Sequence, residues 1–124
     1  MKVVKTDQAP QAIGPYSQAV VVNGMIFCSG QIPIDTSGKI VSDDVAGQTR
    51  QVINNLASVL TSAGSGLDKV VKTTIYLTDI NEFENVNEVY GSFFNGNNKP
   101  ARATVEVSRL PKDVKVEIDC VAIL

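Results

Sequence analysis

Apolar residues alternate with polar ones toward both ends of this chain and recur at helical spacing between them. Val3 to Thr6 reads as a short edge strand, and Asp7 to Ser17, holding Pro10, Gly14 and Pro15, as a loop. Ala19 to Val22 and Met25 to Ser29 flank Asn23-Gly24, a pair that tolerates the positive φ angles of a two-residue hairpin. Gly30 to Asp43 contains Pro33 and Ser37-Gly38 and is expected to be irregular and exposed. Val45, Thr49, Val52, Ile53, Leu56, Leu60 and Ala63 then recur with helical period, with Asp43 or Asp44 as N-cap and Gly64 as C-terminal cap. Val70 to Leu77 is rich in β-branched residues and reads as a strand. A second helix places Phe83, Val86, Tyr90, Phe93 and Phe94 on one stripe, with Asn81 and Glu84 spaced as a capping box; Gly96 to Pro100 ends it.

The tract from Lys99 to Glu117 holds two alternating segments around a proline-containing turn. Ala103, Val105 and Val107 fall on one face of the first, and Arg102, Thr104 and Glu106 on the other. In the second, Val114, Val116, Ile118 and Cys120 share a face, while Lys115, Glu117 and Asp119 point away. A sheet that packs its apolar side on helices is expected to present Arg102 and Glu117 together on its far side. The order hairpin, helix, strand, helix, two strands predicts an α+β fold, one sheet with both helices on one face. The other face would carry Thr74, Tyr76, Glu117, Asp119, Val121 and Ile123. That mixture makes a poor solvent surface, so copies of the chain are expected to cover it in a closed ring, with Arg102 and Glu117 near a subunit boundary.

The chain has 124 residues, enough for one domain (1–124) with a real core. Its 44% hydrophobic and 19% charged content is ordinary for a globular protein. No apolar run approaches a membrane span, and the start lacks an apolar signal-peptide core, so a cytoplasmic location is expected. A net charge of −2 with dispersed basic residues disfavours a nucleic-acid partner. The two cysteines, Cys28 and Cys120, lie in apolar strand contexts and read as buried thiols. The absence of histidine removes His-dependent triads, most zinc sites and the commonest general base; no metal is expected.

Among candidate functional residues, Arg102 offers a planar fork suited to a carboxylate, or it pairs with Glu106 or Asp119 in a plain ion pair. Glu117 is either an acid/base or an exposed strand glutamate. Ser29 and Gly30 end a strand where a hydroxyl and free backbone N–H groups can meet a ligand, or they serve turn chemistry alone. Tyr16 is a cleft wall or a loop anchor, and Asn87 lies one residue off the apolar stripe of its helix. Lys72 and Lys115 show no sign of the desolvation a Schiff-base lysine needs.

Four stretches resemble the RidA/YjgF family: Ala12-Ile13-Gly14-Pro15-Tyr16-Ser17-Gln18-Ala19, Ser29-Gly30-Gln31-Ile32-Pro33, Val86-Asn87-Glu88-Val89-Tyr90, and Pro100 to Glu117. The likeness runs in order from about residue 8 to the C-terminus. It implies a chorismate-mutase-like fold, a single mixed β-sheet with two helices on one face, assembling as a homotrimer around the other face with clefts between subunits. It also implies hydrolysis of small 2-imino or 2-enamino acids, such as 2-aminoacrylate and 2-iminobutanoate, to 2-keto acids and ammonia, with no cofactor. In that reading Arg102 binds the substrate carboxylate and Glu117 positions water, while Tyr16, Ser29, Gly30, Asn87 and Thr104 bind substrate. Many family members carry Arg-Ser-Cys where this chain has Arg102-Ala103-Thr104, so a thiolate at that position is impossible here. The family likeness also admits a small-carboxylate-binding regulatory module acting on a partner protein. RNA cleavage and translation inhibition are disfavoured by the charge, and chorismate mutase chemistry rests on fold likeness alone.

Overall fold

In the computed structural model, which describes residues 1–124, a short strand Lys2–Val4 (β1) pairs antiparallel with Ala19–Val22 (β2). Asn23 and Gly24 take φ of 51° and 76° and turn β2 into Met25–Gln31 (β3), as the Asn-Gly pair predicts. The helix Val45–Ser62 (α1) starts where the Asp44 side chain accepts a hydrogen bond from the Gly47 N–H at 2.6 Å. It stops at Gly64, φ 85°, where the Ser65 N–H donates to Leu60 and the Gly64 N–H to Thr61. Strand Val70–Leu77 (β4), helix Phe83–Phe93 (α2), and strands Ala101–Glu106 (β5) and Val116–Ile123 (β6) follow.

The second helix begins differently from expectation. Asp79, not Asn81, supplies the cap: its carboxylate accepts from the Asn81 N–H at 3.0 Å and opens a short 3₁₀ turn, Ile80–Glu82, that leads into α2. An aspartate reaches the N–H two residues ahead readily, which pre-empts the Asn81–Glu84 box.

The sheet order is β1–β2–β3–β6–β4–β5, mixed because β5 runs parallel to β4 while every other pair is antiparallel. The strands flanking the proline-containing turn, β5 and β6, are therefore not neighbours; β4 lies between them. Both helices cover one face. Ile26, Val52, Ile53, Leu56, Val59, Leu60, Ile75, Leu77, Val116, Ile118 and Ala122 are fully buried there. Each such large apolar side chain stabilises the fold by about 1.5–3 kcal/mol. Cys28 and Cys120 are buried free thiols facing each other across β3 and β6, and Ser29 lies on the opposite side of its strand from Cys28.

The other sheet face is open. Met25, Phe27, Val105 and Ile123 lie on it, each 37–45% exposed, beside Tyr76, Glu117 and Asp119. No helix is long and apolar enough to cross a membrane.

One expectation is overturned. Arg102 and Glu117 of one chain do not share a face. Arg102 pairs with Thr73 and Thr104 with Ile75 in the parallel β4–β5 ladder; Thr73 and Ile75 are 0% exposed beneath the helices. Glu117 pairs with Tyr76 on the open face. The alternation expected for β5 is present, but its two rows are inverted: the Ala103–Val105 row looks outward, and the Arg102–Thr104 row looks to the helix side. β5 is the edge strand at the rim of the helix layer, so a long cation there reaches past the apolar core without being entombed in it.

Candidate active site

A β-bulge shapes the first half of the site. Cys28 pairs with Cys120 and Gln31 with Ile118, so Ser29 and Gly30 together oppose the single residue Asp119. The kink brings the Gly30 backbone against the Glu117 side chain. A Cβ on Gly30 would collide with Glu117 Oε2 and lie 2.8 Å from its Cδ. Gly30 is thus required for close approach; its φ is not in the left-handed region.

A cavity of about 350 Å³ opens at this point, lined by Tyr16, Ser29, Gly30 and Glu117, with Pro10, Ile13, Ile32 and Ile34 as apolar wall. Burial pushes the Glu117 carboxyl above the ordinary carboxylate range, and the charge of Asp119 two residues on adds to the shift. Asp119 itself accepts a hydrogen bond from the Tyr76 hydroxyl at 3.0 Å, so it remains a fixed neighbour.

The loop over the cavity is tied down by Gln18. Its buried amide donates to the carbonyls of Thr6 and Pro10 and accepts from the Thr6 N–H, at 2.7–3.0 Å. The Tyr16 hydroxyl accepts from the Ile13 N–H at 3.2 Å while its ring stays half exposed at the cavity mouth. Ser29 differs from expectation: its hydroxyl donates to the Ser17 carbonyl at 2.6 Å and its N–H to the Gln18 carbonyl at 3.0 Å. Both donors are engaged by the loop, which leaves the hydroxyl oxygen as an acceptor.

The second half of the site lies on the other side of the sheet. Arg102 makes no ion pair: Glu106 instead accepts from the Ile80 N–H, and the molecule's single salt bridge is Arg109–Asp113 on the surface. The Arg102 guanidinium sits over two aromatic rings of α2, 4.9 Å from the centroid of Tyr90 and 5.5 Å from that of Phe83. Asn87, half-buried, comes between those two residues on the helix, at i+4 from Phe83 and i−3 from Tyr90. Thr104, two residues from Arg102 on the same side of β5, holds a buried hydroxyl with no hydrogen-bond partner.

Tyr16, Ser29, Gly30 and Glu117 thus line one cavity, while Arg102, Thr104 and Asn87 gather at the opposite rim. By strand spacing the Cα atoms of Arg102 and Glu117, two strands and three rungs apart, are separated by about 14 Å before their opposite directions are counted. Gln18, which ties down the loop over the cavity, and Phe83 and Tyr90, which lie beneath Arg102, are not among the candidate site residues read from the sequence. The need of a buried amide for partners was a usable signal for Gln18, but the ring stripe of α2 reads as core until β5 is known to dock beside it. Lys72 and Lys115 are exposed, which leaves neither desolvated.

Comparison with known proteins agrees with this architecture. The family model for endoribonuclease L-PSP matches residues 6–124. A RutC family protein of Pyrococcus abyssi is 52% identical over 98% of this chain and 95% of its own. A protein of Salmonella typhimurium named 2-iminobutanoate/2-iminopropanoate deaminase is 45% identical over 98% of this chain and 97% of its own. The crystal structure of the YjgF gene product from Escherichia coli superposes with a TM-score of 0.93 at 46% identity, covering 99% of this chain and 98% of that one. On the fold, on four motifs spread along the sequence and on these whole-length matches, the chain belongs to the RidA/YjgF family.

Proposed function

We propose that this protein is a deaminase of the Rid type that hydrolyses small 2-imino acids, in equilibrium with 2-enamino acids, to 2-keto acids and ammonia. The observation that carries the reading is Glu117: a half-buried carboxyl with a raised pKa, facing a cavity of amino-acid size. Whole-length identity of 45% to a named 2-iminobutanoate/2-iminopropanoate deaminase supports the substrate class.

The chemistry follows from these groups. Ionised Glu117 takes a proton from water as the oxygen adds to the carbon of the protonated imine, C=NH2+, giving a neutral carbinolamine. Protonated Glu117 then gives its proton to the carbinolamine nitrogen; as the C–N bond breaks and ammonia leaves, the hydroxyl proton passes back to Glu117, the C=O of the keto acid forms, and Glu117 loses that last proton to solvent. A carboxyl poised above the usual range exchanges that proton near neutrality more readily than an exposed glutamate. Arg102, free of any internal carboxylate, is the counterion for the substrate carboxylate, and the unpartnered Thr104 hydroxyl is a second donor to it.

Because one chain holds Glu117 and Arg102 on opposite sides of its sheet, the reading requires a second copy. In it, the open face with Phe27, Val105 and Ile123 packs against copies in a closed trimer, which brings Arg102 of one protomer to the Glu117 cavity of the next. RNA cleavage, which the matching family model's description would suggest, has less behind it: the net charge is −2 and no histidine is present.

The test is a threonine dehydratase reaction run with semicarbazide to trap free imine. Adding the protein should lower trapped imine and raise 2-ketobutyrate, and Arg102→Ala and Glu117→Ala should each abolish the effect. Undiminished trapping with the wild-type protein, or full activity in either variant, contradicts the assignment.

A further inference from the structure

The Arg102 side chain has neither an ion pair nor a hydrogen bond, yet it is half-buried at the rim of the helix layer, with Tyr90 and Phe83 beneath its guanidinium. A ring face attracts the cation without consuming an N–H, so every donor of the fork stays free for an anion. A carboxylate partner would have occupied them.

The Tyr90 ring is itself fixed to the strand that pairs with Arg102. Its hydroxyl bonds Thr73 Oγ1 at 2.7 Å, both residues being buried, and Thr73 is the ladder partner of Arg102. Its ring also meets Phe94 at a centroid distance of 4.5 Å. Backbone of Arg102, backbone of Thr73, Thr73 hydroxyl, Tyr90 hydroxyl, Tyr90 ring and Arg102 guanidinium therefore form a closed loop of contacts. The side chain most free to wander is held from below by a ring anchored at its far end.

We infer that Tyr90, bolted to Thr73 and assisted by the more exposed Phe83, is a positioning residue that holds the Arg102 fork in its carboxylate-binding orientation. This rests on the reading of Arg102 as the substrate's counterion. Its consequence is a site whose affinity for any small 2-keto or 2-imino carboxylate depends on aromatic rings that never touch the ligand's reacting carbon. Preorganisation of this kind lowers the ordering cost of binding rather than adding a contact.

The experiment is calorimetric titration with 2-ketobutyrate, a stable carboxylate product, alongside steady-state imine hydrolysis, on the assembled protein. Tyr90→Leu should weaken ketoacid binding roughly 2- to 12-fold, the cost of ordering one freed long side chain on binding, and raise KM with a smaller change in kcat. Tyr90→Phe, which keeps the ring but frees it from Thr73, should bind with an affinity between those of the wild type and Tyr90→Leu. Phe83→Leu, at an exposed position that tolerates the change, should weaken binding roughly 2- to 5-fold without lowering the melting temperature. If Arg102→Ala abolishes binding while Phe83→Leu and Tyr90→Leu leave it within twofold of wild type, the positioning role is overturned. It is equally overturned if Tyr90→Leu does not fold and Phe83→Leu is silent. If Arg102→Ala itself leaves binding intact, the assignment of Arg102 as counterion fails instead.

Discussion

Replacing Gly30 by alanine isolates the geometry of the candidate active site more cleanly than removing a charged group. The added Cβ would sit 2.8 Å from Glu117 Cδ and 3.1 Å from its Cγ. Ordinary carbon contacts lie at about 3.5–4.0 Å, so the carboxyl must retreat by roughly 1 Å. The backbone raises no objection, since Gly30 is outside the left-handed region. Losing a glycine from the unfolded ensemble stabilises by about 0.4–1 kcal/mol, and pushing Glu117 off its rotamer costs about 0.5–1.5 kcal/mol. The two nearly offset, so the melting temperature should move by only a few degrees. Activity should fall far more, because a displacement of about 1 Å in a positioned group costs on the order of 100-fold. The assay is kcat/KM for imine hydrolysis, read through keto acid release, together with thermal melting. A second arm introduces Gly30→Ala into the inactive Glu117→Ala chain and reads thermal melting: with no carboxyl to displace, only the gain from losing a glycine remains, so the melting temperature should rise more there than in the wild-type background. Retention of wild-type kcat/KM in Gly30→Ala, or the same change of melting temperature in both backgrounds, would refute the reasoning.

Three further outcomes follow from the same structure. Acidification protonates Glu117 at a higher pH than an ordinary carboxylate, so the acid limb of kcat/KM should lie above the usual carboxylate range; Asp119→Asn removes the like charge and should move that limb to lower pH, though burial keeps part of the elevation, and an upward or null shift contradicts it. Phe27→Glu on the open face should disperse the assembly in sedimentation velocity while circular dichroism stays native-like, and activity should disappear with it; an active monomer would remove the need for a second copy. Ile75→Ala, at a fully buried position in the middle of the sheet, should cost about 2–5 kcal/mol in denaturant unfolding, and a loss below about 1 kcal/mol would mean the core is not packed as described.

Much of the architecture was legible because local rules and tertiary demands agree. Asn23-Gly24 and the spacing from Val45 to Ala63 predict the hairpin and α1, and Val70 to Leu77 coincides with β4. The alternation of Val116, Ile118 and Cys120 likewise predicts which side of β6 is buried. Period alone is insufficient at β5. Its parity is plain in the sequence, but which row meets the helices depends on pairing with β4, a contact made across the intervening helix α2. For that reason Arg102 and Glu117, expected on one face, are found on two. Asp79 displaces Asn81 as a cap because two nearby polar residues compete for the same turn, and only the backbone path selects between them. The donors of Ser29, expected to be free, are taken by the Ser17 and Gln18 carbonyls, partners twelve and eleven positions away that no local pattern announces.

The most direct test of the central claim, that each catalytic site joins Arg102 of one protomer to Glu117 of another, is subunit complementation. Arg102→Ala and Glu117→Ala chains, each inactive alone, are unfolded together in equal amounts, reassembled and assayed for imine hydrolysis. In randomly mixed trimers about a quarter of the interfaces would combine an intact Arg102 with an intact Glu117, so activity should return to about a quarter of wild type. If the mixture reassembles fully and stays as inactive as its two components, the two residues do not serve one site across a subunit boundary, and the shared-site claim is wrong.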